Sequence, residues 1–259
     1  MPESKIAIEY NGIYRHLFRP DEKDFSRRKD AKYHLYKTEK CEELGIQLIH
    51  IFSSQWKSNK EVWKSFIKNK LGFTENKLYA RQCEVKEISI HEKNIFLDEN
   101  HIQGRDKSKI KLGLFYDNKL VSVMTFNKPR FNKNYDWELM RFCNKLDHTI
   151  IGAFSKLLKH FRNNHEGSII SYCDRSRSNG NVYYKNGFEL IEKKLEPGYF
   201  WTDRTKVYNR QHFQKHKLKK LFANNEIKYY NENESEFDNM IKNGYRIYYD
   251  CGNLAFILK

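Results

Sequence analysis

Glu9 lies in the short apolar run IAIEYN (6–11), and two histidines, His16 and His34, follow it closely. A carboxylate on a strand can hold a divalent cation beside a phosphodiester, and a neighbouring histidine can carry the proton that hydrolysis moves. These residue types make Glu9 a candidate ligand for Mg²⁺, with His16 and His34 as candidate proton carriers. The competing reading is a solvated edge glutamate, and spacing alone does not separate the two. A second kind of chemistry is carried by the cations. KPRFNKNYDW (128–137) interleaves Lys128, Arg130 and Lys133 with aromatic rings, RSRS (175–178) adds Arg175 and Arg177, and NRQHFQKHKLKK (209–220) adds Arg210, Lys215, Lys219 and Lys220. Cations mixed with rings are the composition that holds phosphates and exposed bases together.

The totals agree with the second theme. In 259 residues, 48 Lys and Arg stand against 33 Asp and Glu, a net charge of +15 spread over the whole chain, which points to a polyanion such as double-stranded DNA. Hydrophobic residues at 39% and aromatics at 15% are too many for a disordered chain. No run reaches the ~18–20 apolar residues of a membrane span and no signal-peptide layout opens the chain, so an intracellular protein is expected. The five cysteines, Cys41, Cys83, Cys143, Cys173 and Cys251, are scattered without a C-x-x-C pair, which favours reduced thiols over zinc.

Periodicity and turn residues place these groups on elements. A small α/β segment runs from 1 to 72: a strand at 5–11, a helix at 32–44 stopped by Gly45, a strand at 46–52 and a helix at 58–72. Residues 73–80 read as a linker. Next come a strand (80–89), a helix (90–104), a hairpin turning at Asp117-Asn118, and a strand at 136–144. A helix from Ile150 follows, with Ile151, Phe154, Leu157, Leu158 and Phe161 on its apolar face. A strand (168–173), a short helix (179–186) and paired strands (187–193 and 199–206) complete this part. The tail from 207 to 259 carries a basic stretch, a polar acidic stretch and a terminal hairpin turning at Cys251-Gly252-Asn253. The fold class expected is α/β (α+β).

The order acid, Asn-Gly, His, Tyr-His-Leu-x-Lys-Thr, Leu-Gly-Ile and an apolar strand ending in Trp, over residues 3–57, resembles the nuclease core of phage-type homing endonucleases. These are related to very-short-patch-repair enzymes, a branch of the PD-(D/E)XK fold. The resemblance implies Glu9 as metal ligand with Mg²⁺, His16 and His34 as recurrent histidines, and a homodimer to cut two strands. The family carries a further aspartate upstream, so the resemblance implies an N-terminally abbreviated core. Asp21, Asp24 and Asp30 are the possible substitutes.

Residues 79–206 resemble the GCN5-related acetyltransferase (GNAT) fold in element order, and SNGNVYYKNGFELI (178–191) resembles the signature near its end. The similarity to the Mom-like branch, phage proteins that modify adenine in DNA, implies Arg141, Ser155, Asp174 and Tyr184 as site residues and acetyl-CoA as cofactor. In that reading Ser155 near a helix start, Asp174 at a strand end and Tyr184 opposite orient a base and move a proton. The leading expectation is a homing-endonuclease-like DNA-binding protein in a phage-infected bacterial cytoplasm. A GNAT-type DNA base-modifying acyltransferase and a non-catalytic DNA-binding module are the alternatives.

Overall fold

The computed structural model describes residues 4–18, 30–203 and 205–259, with the backbone alone at 192–195. In chain order its first elements are β1 (Ile6–Asn11), α1 (Tyr33–Glu43), β2 (Gln47–Phe52), α2 (Ser53–Ser58), α3 (Lys60–Lys70), β3 (Asn76–Tyr79), β4 (Glu84–Glu87) and α4 (Ile90–Asn100). There follow β5 (Ile110–Tyr116), β6 (Lys119–Asn127), β7 (Trp137–Asn144), β8 (His148–Ile151), α5 (Ala153–Asn164), β9 (Ile169–Asp174) and α6 (Asn181–Tyr184). The last are β10 (Glu189–Leu195), β11 (Tyr199–Thr202), β12 (Val207–Asn209), α7 (Lys215–Ala223), α8 (Glu236–Lys242), β13 (Arg246–Tyr249) and β14 (Asn253–Leu258).

The chain divides into two compact units that interleave along the sequence. Unit 1 comprises Met1–Ser54, Asp174–Ser178 and Leu195–Asn253, and unit 2 comprises Gln55–Cys173, Asn179–Lys194 and Leu254–Lys259. This division differs from the consecutive segments 1–72, 79–206 and 207–259 expected from sequence order.

In unit 1, β1 and β2 pair in parallel from Ile6 and Gln47 to Asn11 and Phe52. Parallel neighbours cannot be joined by a tight turn, and α1 provides the crossover. Leu48, Ile49, His50, Ile51 and Phe52 are all buried, which is why β2 reads as an unbroken apolar run around its one histidine. The sheet β12-β11-β13 builds a second core with α7 and α8 around Trp201, Phe213, Leu218, Met240 and Ile247.

Unit 2 is a mixed α/β body around a seven-stranded sheet in the order β4-β5-β6-β7-β9-β14-β10. Strands β4 to β7 pair antiparallel, whereas β7 and β9 run parallel. The β5–β6 hairpin turns at Asp117 and Asn118, both with positive φ (48° and 57°), the two-residue turn whose twist suits paired strands. Ser89 and Glu92 form a capping box that starts α4. Helix α5 buries Phe154, Leu157, Leu158 and Phe161 against the sheet, with the Phe161 ring stacked on Phe126 at 3.6 Å between centroids.

The element order expected from strand to strand-pair is present from β4 to β10, with three corrections. The helix expected from Ile150 starts only at Ala153, because His148–Ile151 forms β8 and pairs with β3 inside the expected linker. Ile151 is therefore on a strand and exposed. The pair expected from 187–193 and 199–206 belongs to two sheets, and the terminal hairpin is not one: β13 pairs with β11, while β14 lies between β9 and β10. Gly252, at φ 74°, turns the chain, but a turn between two apolar runs does not fix which strands they join.

Candidate functional site

Glu9 in β1 stands in register with His50 in β2, so both project from one face of the two-stranded sheet toward α1. Lys37 of α1 forms an ion pair with Glu9 Oε1, and His50 Nδ1 lies 3.3 Å from Oε2. Asn11 Nδ2 lies 3.1 Å from His50 Nδ1. Thr38 Oγ1 donates to the His34 carbonyl (2.9 Å), so its 3.0 Å contact with His50 Nε2 requires the imidazole to be the donor there. His34 Nε2 in turn meets His16 Nδ1 at 2.9 Å. The bond with His50, joined by Lys37, holds the Glu9 carboxyl at about 2 despite partial burial. Burial, together with the adjacent His50 and His16, brings His34 down to about 3, so it is neutral at pH 7.

The structure thus brings Glu9, His16 and His34 into one network and adds Asn11, Lys37, Thr38 and His50, which sequence reasoning did not single out. The signal available for His50 was a polar residue in the middle of the run IQLIHIF. The network does not fit Mg²⁺. That ion requires several oxygen ligands, and here the one carboxylate carries an ammonium and an imidazole. Among the described residues no group of three His, Cys, Asp or Glu could hold a metal. Glu9 as a metal ligand is accordingly corrected. Asp30 accepts from the Lys32 amide, and Asp21 and Asp24 lie outside the described residues.

In unit 2 the parallel partners β7 and β9 pair only through Trp137 with Ile169, Glu138 with Ile170 and Leu139 with Ser171. Residues 140–144 and 172–174 then continue unpaired on that side. The cause is visible in the β6–β7 ladder, which shifts register between Thr125 and Phe126 and leaves Met140 without a partner; such a bulge sharpens local twist and turns the strand away. Helix α5 starts nearby from Gly152 at φ 81°, with no side-chain cap. The first amides of a helix have no intrahelical acceptor, and with no cap side chain they are left to an anion.

Ser155 Oγ donates to Asn186 Oδ1 (2.6 Å), whose amide donates to the Val182 carbonyl, linking the first turn of α5 to the segment after α6. Tyr184 is 50% exposed, its ring edge against Phe256, and its hydroxyl makes no hydrogen bond among the described residues. Arg141 donates to the carbonyls of Gly104 (3.4 Å) and Met140 (2.8 Å). Asp174, grouped with unit 1, accepts from the Ser176 amide and hydroxyl and pairs with Arg177 at 2.8 Å, so it organises its own turn. Sequence reasoning also missed Glu138, a 1% exposed carboxylate clasped by the Arg130 guanidinium and amide.

The cations expected to meet DNA separate into committed and uncommitted groups. Arg175 is buried and pairs with Glu39 (3.3 Å) and Glu42 (2.8 Å), which corrects its assignment as a DNA contact. Arg130 is held by Glu138 and Arg177 by Asp174. Lys128 and Arg210 sit over the Trp137 and Tyr199 rings, and Lys133 bonds the Pro129 carbonyl. Lys215, Lys219 and Lys220 on α7 are exposed and have no partner among the described residues.

No family model matches the chain, and no curated protein matches it. Among solved structures it is similar to the PaiA N-acetyltransferase from Thermoplasma acidophilum in complex with coenzyme A, at 18% identity over 44% of this chain and 94% of that one, TM-score 0.33. It is also similar to a candidate streptothricin acetyltransferase from Bacillus anthracis in complex with acetyl coenzyme A, at 11% identity over 67% of this chain and 69% of that one, TM-score 0.31.

Proposed function

We propose that unit 2 is an acyl-transfer domain of the GNAT type, that its donor is acetyl-coenzyme A, and that its acceptor is an amine on a nucleic-acid base. The observation that carries this reading is the parting of β7 from β9 beyond Leu139 and Ser171, beside the uncapped start of α5. Ligands of open α/β sheets bind in crevices at the carboxyl ends of parallel strands, where strand order switches. The fit to the donor rests on the chain's own groups. The amides of Ala153, Phe154 and Ser155 suit a pyrophosphate, and no cap side chain competes for them.

Bound acetyl-coenzyme A supplies an activated thioester carbon. Acyl transfer breaks its C–S bond and forms a C–N bond, and the proton that the amine nitrogen loses replaces the one given to the leaving thiolate. Tyr184, half exposed and with its hydroxyl uncommitted, is the residue that can protonate that thiolate. Ser155 gives its hydroxyl hydrogen to Asn186, which leaves its oxygen as a hydrogen-bond acceptor to orient the incoming amine. A nucleic-acid acceptor is supported by the net charge of +15 and the three uncommitted lysines of α7.

The test is incubation with acetyl-coenzyme A and DNA, followed by digestion and mass analysis of the nucleosides, alongside calorimetric titration with acetyl-coenzyme A. Donor binding with an acetylated nucleoside supports the proposal. A protein that neither binds the donor nor changes any nucleoside mass overturns it.

A further inference from the structure

A shallow groove of ≈ 540 Å³ runs along unit 2 between α5 and the segment that enters β4. That volume lies in the range of about 300–1,000 Å³ that accommodates small ligands. Cys83 and Val85 give its lining an apolar part, and Gln82 and Asn163 contribute side-chain amides. Arg81, Lys159 and His160 complete the rim. These polar side chains belong neither to the crevice at β7 and β9 nor to the basic stretches on which the DNA reading rests.

The groove is uncompensated. Its one acid, Glu84, is already paired with Lys86 at 2.8 Å. Lys156 donates to the carbonyls of Ala80 and Cys83, so it pins the wall to α5 and is not available to a ligand. The side chains of Lys159, His160, Gln82 and Asn163 form no hydrogen bond or ion pair among the described residues. The Arg81 guanidinium lies over the Tyr79 ring at 5.0 Å, an arrangement that holds its plane while leaving its N–H edges open. Lys156, Lys159, His160 and Asn163 recur at helical spacing, so one face of α5 presents all of them to the same side.

Two cations, an apolar patch and two side-chain amides lining one groove match a ligand that carries a phosphoryl group on a flat, partly apolar body. We infer that this groove is a binding site for a nucleoside phosphate. Arg81 and Lys159 hold the phosphoryl oxygens, Gln82 and Asn163 bond the polar edge of the base, and Cys83 and Val85 take its face. The same chemistry is offered by a free nucleotide and by a nucleotide within a single strand. The inference does not rest on the acyl-donor reading, since the groove residues and Ser155 and Tyr184 are different groups.

The experiment is calorimetric titration of the full chain with adenosine 5′-monophosphate and, separately, with a short single-stranded oligodeoxyadenylate, repeated on R81A/K159A and on K64A as a surface control. Circular dichroism checks that each variant is folded. The expected result is binding of at least one probe, weakened tenfold or more in R81A/K159A and unchanged in K64A. Tighter binding of the oligonucleotide identifies a strand as the source, and equal binding identifies the free nucleotide. Absence of binding by both probes, or equal binding by R81A/K159A, overturns the inference.

Discussion

The polar network of unit 1 and the strand crevice of unit 2 both contain the residue types of catalysis, yet they differ in what those residues are already doing. Around Glu9 most polar groups meet one another: Lys37 and His50 approach the carboxylate, Thr38 bridges His50 to His34, and His34 meets His16, while Glu9 Oε2 and Asn11 Oδ1 have no hydrogen-bond partner among the described residues. In unit 2 the first amides of α5 carry no side-chain cap and the Tyr184 hydroxyl is uncommitted. A buried polar network that largely satisfies itself favours one arrangement of its elements, whereas groups left open can act on something else. Residue identity therefore nominates a site, and the partners of those residues decide between scaffolding and chemistry.

The strongest way to probe the comparison is to break a satisfied pair in unit 2. Lys93 and Asp106 are each 2% exposed and meet at 2.9 Å, with Thr125 also donating to Asp106. Lys93→Met leaves a buried carboxylate without its cation and should cost about 3–5 kcal/mol in denaturant unfolding. Stability unchanged within error would mean that water already reaches this pair.

The network of unit 1 should make the protein sensitive to acid over two ranges. His34 is lowered from 6.5 to about 3, so between those values the unfolded chain takes up a proton that the folded chain refuses, and stability falls with pH. Glu9 is lowered from 4.5 to about 2, so the stability it contributes is complete above 4.5 and is lost as pH falls toward 2. His34→Gln should flatten the upper range and Glu9→Gln the lower one, with an effect on the order of 2 kcal/mol each. Parallel pH profiles for the variants and the parent would show that neither group is coupled to folding.

At the crevice, Tyr184→Phe removes one oxygen from a half-exposed ring. It should lower kcat for acyl transfer roughly 100-fold while leaving the KM for acetyl-coenzyme A unchanged. A change confined to KM would assign the phenol to binding. The smallest effect on folding is expected from K215A/K219A/K220A, within about 0.5 kcal/mol, because these exposed side chains have no hydrogen-bond or ion-pair partner among the described residues. The slope of log DNA affinity against log salt should nevertheless drop by roughly 3 if all three meet phosphates. An unaltered slope would remove α7 from the DNA surface.

Local signals were legible where local physics decides the outcome. The Asp117-Asn118 turn, the start of α4 at Ile90 and the apolar stripe of α5 from Phe154 to Phe161 follow from backbone preference and periodicity. Pairing between distant segments was not legible. The run ending in Leu258 is continuously apolar and suits a hairpin with β13 as well as a strand beside β9. Arg175 in RSRS reads as a surface cation until Glu39 and Glu42, far away in sequence, come to bury it. His50 was hidden because a buried histidine with both nitrogens contacted needs no polar neighbours in sequence.

The position of β14 has a consequence for how the chain can be divided. Strand β10 ends at Leu195 and its neighbour β14 starts at Asn253, so a long excursion through unit 1 separates two adjacent strands of one sheet. Closing such a separation carries an entropic cost, and until it happens β9 presents an open edge and β10, whose sheet neighbour is β14, has no partner strand. In a chain cut before Asn253, a synthetic peptide with the sequence NLAFILK would be the strand that restores both pairings. The interleaved units thus make the protein a natural two-piece assembly, with recovery of the fold serving as the signal that the pieces have met.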